Sequence, residues 1–222
     1  MPSRTERVLG EWLAAGTRGI GQVLIVPNDG GFALCHRDDE AKAELELFRS
    51  PNDAIEISRL DDAGRYRPLK TAPNLRHGWK LELPDRASLA AALEGFYPGR
   101  LATLAAWEAH RLVPAPLRAT LNRQSGMYRV AAKISDEQVD GLVGRFCRSQ
   151  GGNPGCLRTI LWGRDETQAR PSLRLPLDKF IAPLDQTGRG EQVMPLLCQE
   201  ACNLLVAEAR KVVKEGSADK SG

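Results

Sequence analysis

No apolar stretch in this 222-residue chain approaches the roughly 20 residues that a membrane-spanning helix needs. The N-terminus, MPSRTERVLGEWLAAG, has neither the apolar core nor the small-residue cleavage site of a secretory signal. The expectation is a cytoplasmic protein with no membrane partner. Several catalytic signatures are also missing. There is no Walker loop, no G-x-S-x-G elbow and no H-E-x-x-H, and Gly19-Ile20-Gly21 is too little for a dinucleotide fingerprint. Kinase and conventional hydrolase readings therefore fall away, and no catalytic residue is assigned. The net charge of +3 is mild and its acidic and basic residues are interleaved, so a nucleic-acid partner is not expected.

The length suffices for one large or two small domains with their own cores, so disulfide staples are not needed for folding. Something else must explain five cysteines, an odd number, in a reducing compartment. Cys147 and Cys156 bracket the segment RSQGGNPG, whose three glycines allow close backbone approach and inward N–H groups. Cys198 and Cys202 have the i, i+4 spacing of one helix face, in a helix expected to begin near Pro195. Thiolates in the first turns of a helix are stabilised by its unpaired N–H groups and dipole. Together the four make a thiolate site, with Arg145, Arg148 and Arg158 next to them in sequence to offset its charge.

An iron–sulfur cluster suits ligands arriving from separated directions. Zinc is the competing reading, although structural zinc sites favour short knuckles with two to four intervening residues. Unligated core cysteines remain a third reading, best suited to Cys202, which continues an apolar face through Leu205, Ala209 and Val212. Cys35 lies in a strand far from the others in sequence and is read as a small buried hydrophobe despite its neighbour His36.

The expected architecture is α+β, in two small domains: an N-terminal helix/hairpin/helix domain over 1–124, a C-terminal α+β domain over 125–214, and a disordered tail over 215–222. Residues 4–15 carry Val8, Leu9, Trp12 and Leu13 on one helical stripe. QVLIV (22–26) and FALCH (32–36) flank Pro27-Asn28-Asp29-Gly30-Gly31 and read as a hairpin. After Ser50-Pro51 a helix is favoured over the strand that Ile55 and Ile57 would also suit. Residues 79–83 read as a strand, 86–96 and 101–112 as helices, and a further short helix carries Leu117 and Leu121. MYRVAAKI (127–134) is expected to be a strand, Ser135 to start a helix that delivers Cys147, 156–162 to be a buried strand and 163–190 mostly loop around SLRLPL.

The segments GRYRPLKTAPNLRHGW (64–79), NRQSGMYRV (122–130), GCLRTILWGRDE (155–166) and PLLCQEACNLLVAEARKVVK (195–214) resemble the extension found after a CbiX-like, sirohydrochlorin-chelatase-type domain in some bacterial proteins. The resemblance covers nearly the whole chain. It implies a stabilising domain followed by a 4Fe-4S cluster-binding domain, with Cys147, Cys156, Cys198 and Cys202 as the ligands. The family's chelatase domain would precede this module, whereas here Met1 leads almost directly into the first extension domain, and His36, His77 and His110 form no recognisable chelatase pattern. The chain by itself thus reads as an accessory rather than a chelatase. Its expected partners are a separate CbiX-like chelatase or a redox protein, in tetrapyrrole (sirohydrochlorin or cobalamin-type) metal chelation.

One local charge run stands out. Residues 65–80 carry Arg65, Arg67, Lys70, Arg76 and Lys80 with no acidic residue, interleaved with Tyr66, Trp79, Pro68 and Pro73. Arg65, Arg67, Lys70 and Arg76 are candidates to grip a carboxylate-rich tetrapyrrole or another anion. The alternative is a solvated loop whose arginines pair with Asp61, Asp62 and other acids.

Overall fold

A capping box opens the chain: in the computed structural model the Glu6 N–H donates to Ser3 Oγ and the Ser3 N–H to Glu6 Oε2, each at 3.2 Å, starting helix α1 (Arg4–Ala14). The structure describes residues 3–67, 75–112, 116–123, 127–147, 158–162, 193–198 and 201–218. They divide between two units, Met1–Leu112 with Pro176–Leu196, and Val113–Leu175 with Leu197–Gly222.

The first unit is a mixed sheet with helices. After α1 come β1 (Gly19–Ile20), β2 (Val23–Asn28), β3 (Gly31–His36), a 3-10 turn (Arg37–Asp39), β4 (Glu46–Phe48), α2 (Asp53–Ile57), β5 (Trp79–Leu83), α3 (Arg86–Phe96) and α4 (Arg100–Glu108). The expected hairpin is present, running from Val23↔His36 to Asn28↔Gly31. Its close packing needs Gly31, where an added Cβ would fall 2.0 Å from the Leu83 carbonyl oxygen. Antiparallel β5 follows on β3, and β4, which the sequence did not suggest, adds in parallel.

Along β5 burial alternates strictly. Trp79, Leu81 and Leu83 face the core, where Trp79 stacks on Phe96 at 4.9 Å, while Lys80 and Glu82 pair outside at 2.7 Å. Helix α2 forms as favoured, with Asp53 Oδ2 reaching back to the Ser50 N–H at 2.9 Å. Helix α4 stops at Glu108, short of the expected Leu112, and His110 just beyond it has φ of 53°.

The second unit packs helices α5 (Leu117–Arg123), α6 (Met127–Ala131), α7 (Asp136–Phe146) and α8 (Asn203–Ala218). Its core joins Leu117, Leu121, Ala131, Ile134, Val139, Leu142, Val143, Trp162, Leu205, Val206 and Ala209. Because Leu117 and Leu121 of α5 belong to this core, the division falls at Leu112/Val113, earlier than the composition change near residue 124 suggested.

Three further expectations are corrected. Residues 127–131 are helical rather than extended, since the buried positions Ala131 and Ile134 are three apart and suit a helical turn better than a strand. The last helix does not begin near Pro195. That region forms β7 (Val193–Met194) and β8 (Leu196–Cys198), and α8 starts at Asn203. The helix continues to Ala218, so the first residues of the expected 215–222 tail are ordered in α8. In the first unit β7 pairs in parallel with β1, giving a sheet order β4-β5-β3-β2-β1-β7. In the second, β6 (Arg158–Ile160) pairs with β8, placing a short strand within the expected 156–162. The expected loop at 163–190 lies outside the described residues. No helix among the described residues is long and apolar enough to cross a membrane.

Candidate metal centre

Three of the four candidate ligands are described, and each stands at the end of a regular element. Cys147 closes α7, its N–H bonding to the Val143 carbonyl at 2.9 Å. That helix is well set by a second capping box, in which Ser135 Oγ accepts from the Gln138 N–H and Gln138 Oε1 from the Ser135 N–H. Cys198 ends β8, and its carbonyl accepts the Leu161 N–H at 2.8 Å, tying it to the end of β6. Cys202 stands immediately before α8. The Leu205 N–H points at its Sγ at 3.5 Å, within reach of a sulfur acceptor, while the Val206 N–H bonds its carbonyl at 3.0 Å.

Cys202 therefore occupies the N-cap of a 16-residue helix, with its sulfur accepting the Leu205 N–H of the first turn. Placement at a helix start is as expected, but by another geometry than the one read from the i, i+4 spacing. Cys198 and Cys202 do not share a helix face. One leaves a strand and the other precedes a helix.

Cys147 and Cys202 both pack against the core of the second unit and are partly exposed, as is Cys198. None of the described cysteines is in a disulfide. Among the described residues, Cys147, Cys198 and Cys202 do not form a trio with sulfurs within 4.8 Å of one another, wider than the roughly 3.8 Å edge of a tetrahedron with zinc–sulfur bonds of about 2.3 Å. Half-buried thiols at the ends of three elements, one already accepting a backbone N–H, are the kind of donor that an iron–sulfur cluster takes. Cys156, with the glycine-rich loop before it and Arg148, lies outside the described residues. Arg145 is in the last turn of α7, next to Cys147 in the chain.

Cys35 is apart from this set. It is buried in β3 opposite Lys80, and its thiol is pushed up to about 11 by burial, with Asp39 and Glu40 adding to the rise. A thiol so resistant to ionisation suits the reading of Cys35 as a small core residue.

The basic segment is placed in pieces. Arg67 is 1% exposed, its Nη1 donating to the Ser58 carbonyl at 3.1 Å, so it belongs to the interior of the first unit and is removed from any surface anion patch. Arg65 is exposed and pairs with Asp61 at 2.9 Å. The Arg65 N–H bond, with help from that pair and against partial burial, holds the Asp61 carboxyl below its ordinary range. Arg76 pairs with Glu46 at 3.2 Å and lies over the Phe48 ring. Lys70 is outside the described residues. Ion pairing of Arg65 and Arg76 with nearby acids is what the solvated-loop alternative anticipated.

Residues 7–111 match the family model described as the DR2241 stabilising domain, and residues 109–211 match that of a 4Fe-4S iron-sulfur cluster binding domain. All four candidate cysteines fall within the second match and Cys35 within the first. The chain is also similar to the crystal structure of DR2241 from Deinococcus radiodurans, described as a multi-domain protein with structural similarity to chelatases and two additional novel domains. The similarity has 30% sequence identity and a TM-score of 0.72, covering 95% of this chain and 41% of that one. This chain thus spans less than half the length of that protein. No curated protein matches it.

Proposed function

We propose that a stabilising-type domain followed by a 4Fe-4S cluster-binding domain makes this chain an iron–sulfur accessory module, with Cys147, Cys156, Cys198 and Cys202 as the cluster ligands. The observation that carries the reading is the position of Cys202, whose sulfur accepts the Leu205 N–H at the start of α8 beside the same core that Cys147 borders. A helix N-terminus lowers the cost of a thiolate and of the anionic group it would hold. A bound cluster supplies one-electron chemistry or a structural cross-link, at a potential set by sulfur hydrogen bonds and burial. The chain's own part is to present thiolates from α7, β8 and the α8 cap, so that three elements are joined at one centre. Four cysteine ligands favour electron transfer, redox sensing or structure over Lewis-acid chemistry at an open site.

A role beside tetrapyrrole metal chelation is supported by the likeness to a protein with chelatase similarity. The test is anaerobic purification of the full chain. A brown protein with broad absorption near about 400 nm and roughly four iron and four sulfide per chain is expected for a 4Fe-4S centre. Colourless, zinc-loaded protein overturns the reading. Titration with sirohydrochlorin, comparing wild type with R65A/R76A, tests the tetrapyrrole link, and no spectral change in either protein removes it.

A further inference from the structure

The three histidines form no chelatase pattern in sequence, yet two of them meet in the first unit. His36 ends β3, Asp39 ends the 3-10 turn that follows, and His77 comes two residues before β5. Pairing of β3 with β5 brings these distant positions together, and their ligand atoms lie within 4.8 Å of one another.

We infer that His36, Asp39 and His77 form a second metal site, taking a first-row divalent transition-metal ion such as Zn²⁺ through two imidazole nitrogens and one carboxylate oxygen. The first support is an unpaid desolvation. The His36 side chain is 0% exposed and its Nε2 has no hydrogen-bond partner, although a buried polar atom left unpaired is destabilising. Its ring lies 3.9 Å, centroid to centroid, from that of His77 and tilted by 47°.

The second support is the surrounding set of bonds. His77 Nδ1 lies 2.5 Å from Asp62 Oδ2, and the His77 N–H donates to Asp62 Oδ1 at 2.7 Å. A proton placed on Nδ1 by that carboxylate leaves the lone pair on Nε2, the carboxylate–histidine arrangement that orients metal ligands. Asp39 is buried, its Oδ2 accepting the Gly78 N–H at 2.6 Å. Its Oδ1 is 2.6 Å from Lys42 Nζ, so the carboxylate already faces a cation, one on a half-exposed side chain that can withdraw to water.

Asp38 completes the shell. Its Oδ2 is 3.6 Å from His36 Nδ1 and 3.8 Å from His77 Nε2, while its N–H donates to His36 Nδ1 at 3.2 Å. Metal binding at His36 Nε2 moves the imidazole proton to Nδ1. There the bond accepted from the Asp38 N–H is exchanged for one donated to the Asp38 carboxylate. Asp38 and Asp62 are mostly exposed and form an acidic entrance.

Two nitrogens and one oxygen suit zinc or ferrous iron better than calcium or magnesium, which prefer all-oxygen shells. Three protein ligands also leave a coordination position for water or a small ligand. The site is independent of the cysteine centre, and its test must be as well.

Co²⁺ is titrated into metal-stripped full-length protein and followed by visible absorption, in which thiolate ligation adds sulfur-to-metal charge transfer and nitrogen/oxygen ligation does not. One equivalent bound without charge transfer is expected in wild type, retained in C198S/C202S, and lost in H77A. D62N should weaken that binding by about 10–100-fold, as removal of an outer carboxylate does. K42M, which deletes the competing ammonium, should tighten it. Should H77A fail to fold, D62N carries the same readout from an exposed position. The inference is overturned if C198S/C202S abolishes all cobalt binding, or if neither H77A nor D62N changes it.

Discussion

At the scale of single residues, Cys202 carries two roles that substitution can separate. Its sulfur caps α8 through the Leu205 N–H, and it is a proposed cluster ligand. Serine is a strong N-cap but not a thiolate, so C202S should keep the cap and lose iron, whereas C202A should lose both. In cluster-free protein C202A is expected to be less stable than C202S by about 1 kcal/mol, measured by urea unfolding, with both variants depleted in iron on elemental analysis. Arg67 makes the opposite point. It lies in a basic run of the sequence, but its guanidinium is buried on the Ser58 carbonyl. R67M should destabilise the first unit by about 1–3 kcal/mol in urea, because it strands a buried acceptor. The candidate cysteines were legible in sequence because few other residue types do their chemistry. The pairing of His36 with His77 was not, because nothing local marks two histidines 41 positions apart as neighbours.

At the scale of elements, cap chemistry was the most readable signal. Ser135 was expected to start a helix ending at Cys147, and α7 does both. S135A should cost about 1 kcal/mol and lower cluster retention under mild denaturant, followed by loss of visible absorption. Asp85 caps α3, and the Ser88 N–H holds its carboxyl below the ordinary range. A depressed folded-state pKa means the cap's contribution is present above the ordinary value of 3.8 and is lost as pH falls through the lower folded one. D85N, still a good cap but unable to titrate, should flatten that part of the acid-unfolding profile while leaving stability at neutral pH nearly unchanged. Apolar runs were the weak signal. MYRVAAKI and PLLCQEAC contain residues that suit either period, and packing decided against the expected choice in both. Helix α6 presents Ala131 to a helical core, and the segment before Cys202 joins strands on its way to α8.

At the scale of the whole molecule, the order of domains along the chain is not the order of its packing. The first unit takes β7 from beyond α5, α6 and α7 of the second unit in sequence, and its Val193 and Met194 pair with Gly19 and Ile20 and are buried. A fragment ending at residue 112 lacks that strand and the burial of its side chains, about 1.5–3 kcal/mol for a large apolar one. Its thermal midpoint should fall at least about 4 °C below that of the same unit in the full chain, read by near-ultraviolet circular dichroism at Trp79. Sequence alone determined the α+β class, the hairpin, the Ser135 cap, and the thiol donors with their order, because these depend on residue type and on spacings of a few positions. Only the tertiary structure decided that Cys202 sits on a helix start, that Arg67 is interior, and that His36, Asp39 and His77 converge. Those outcomes depend on which distant segments share a sheet or a core, and the pairing of β3 with β5 is written in no short stretch of the chain.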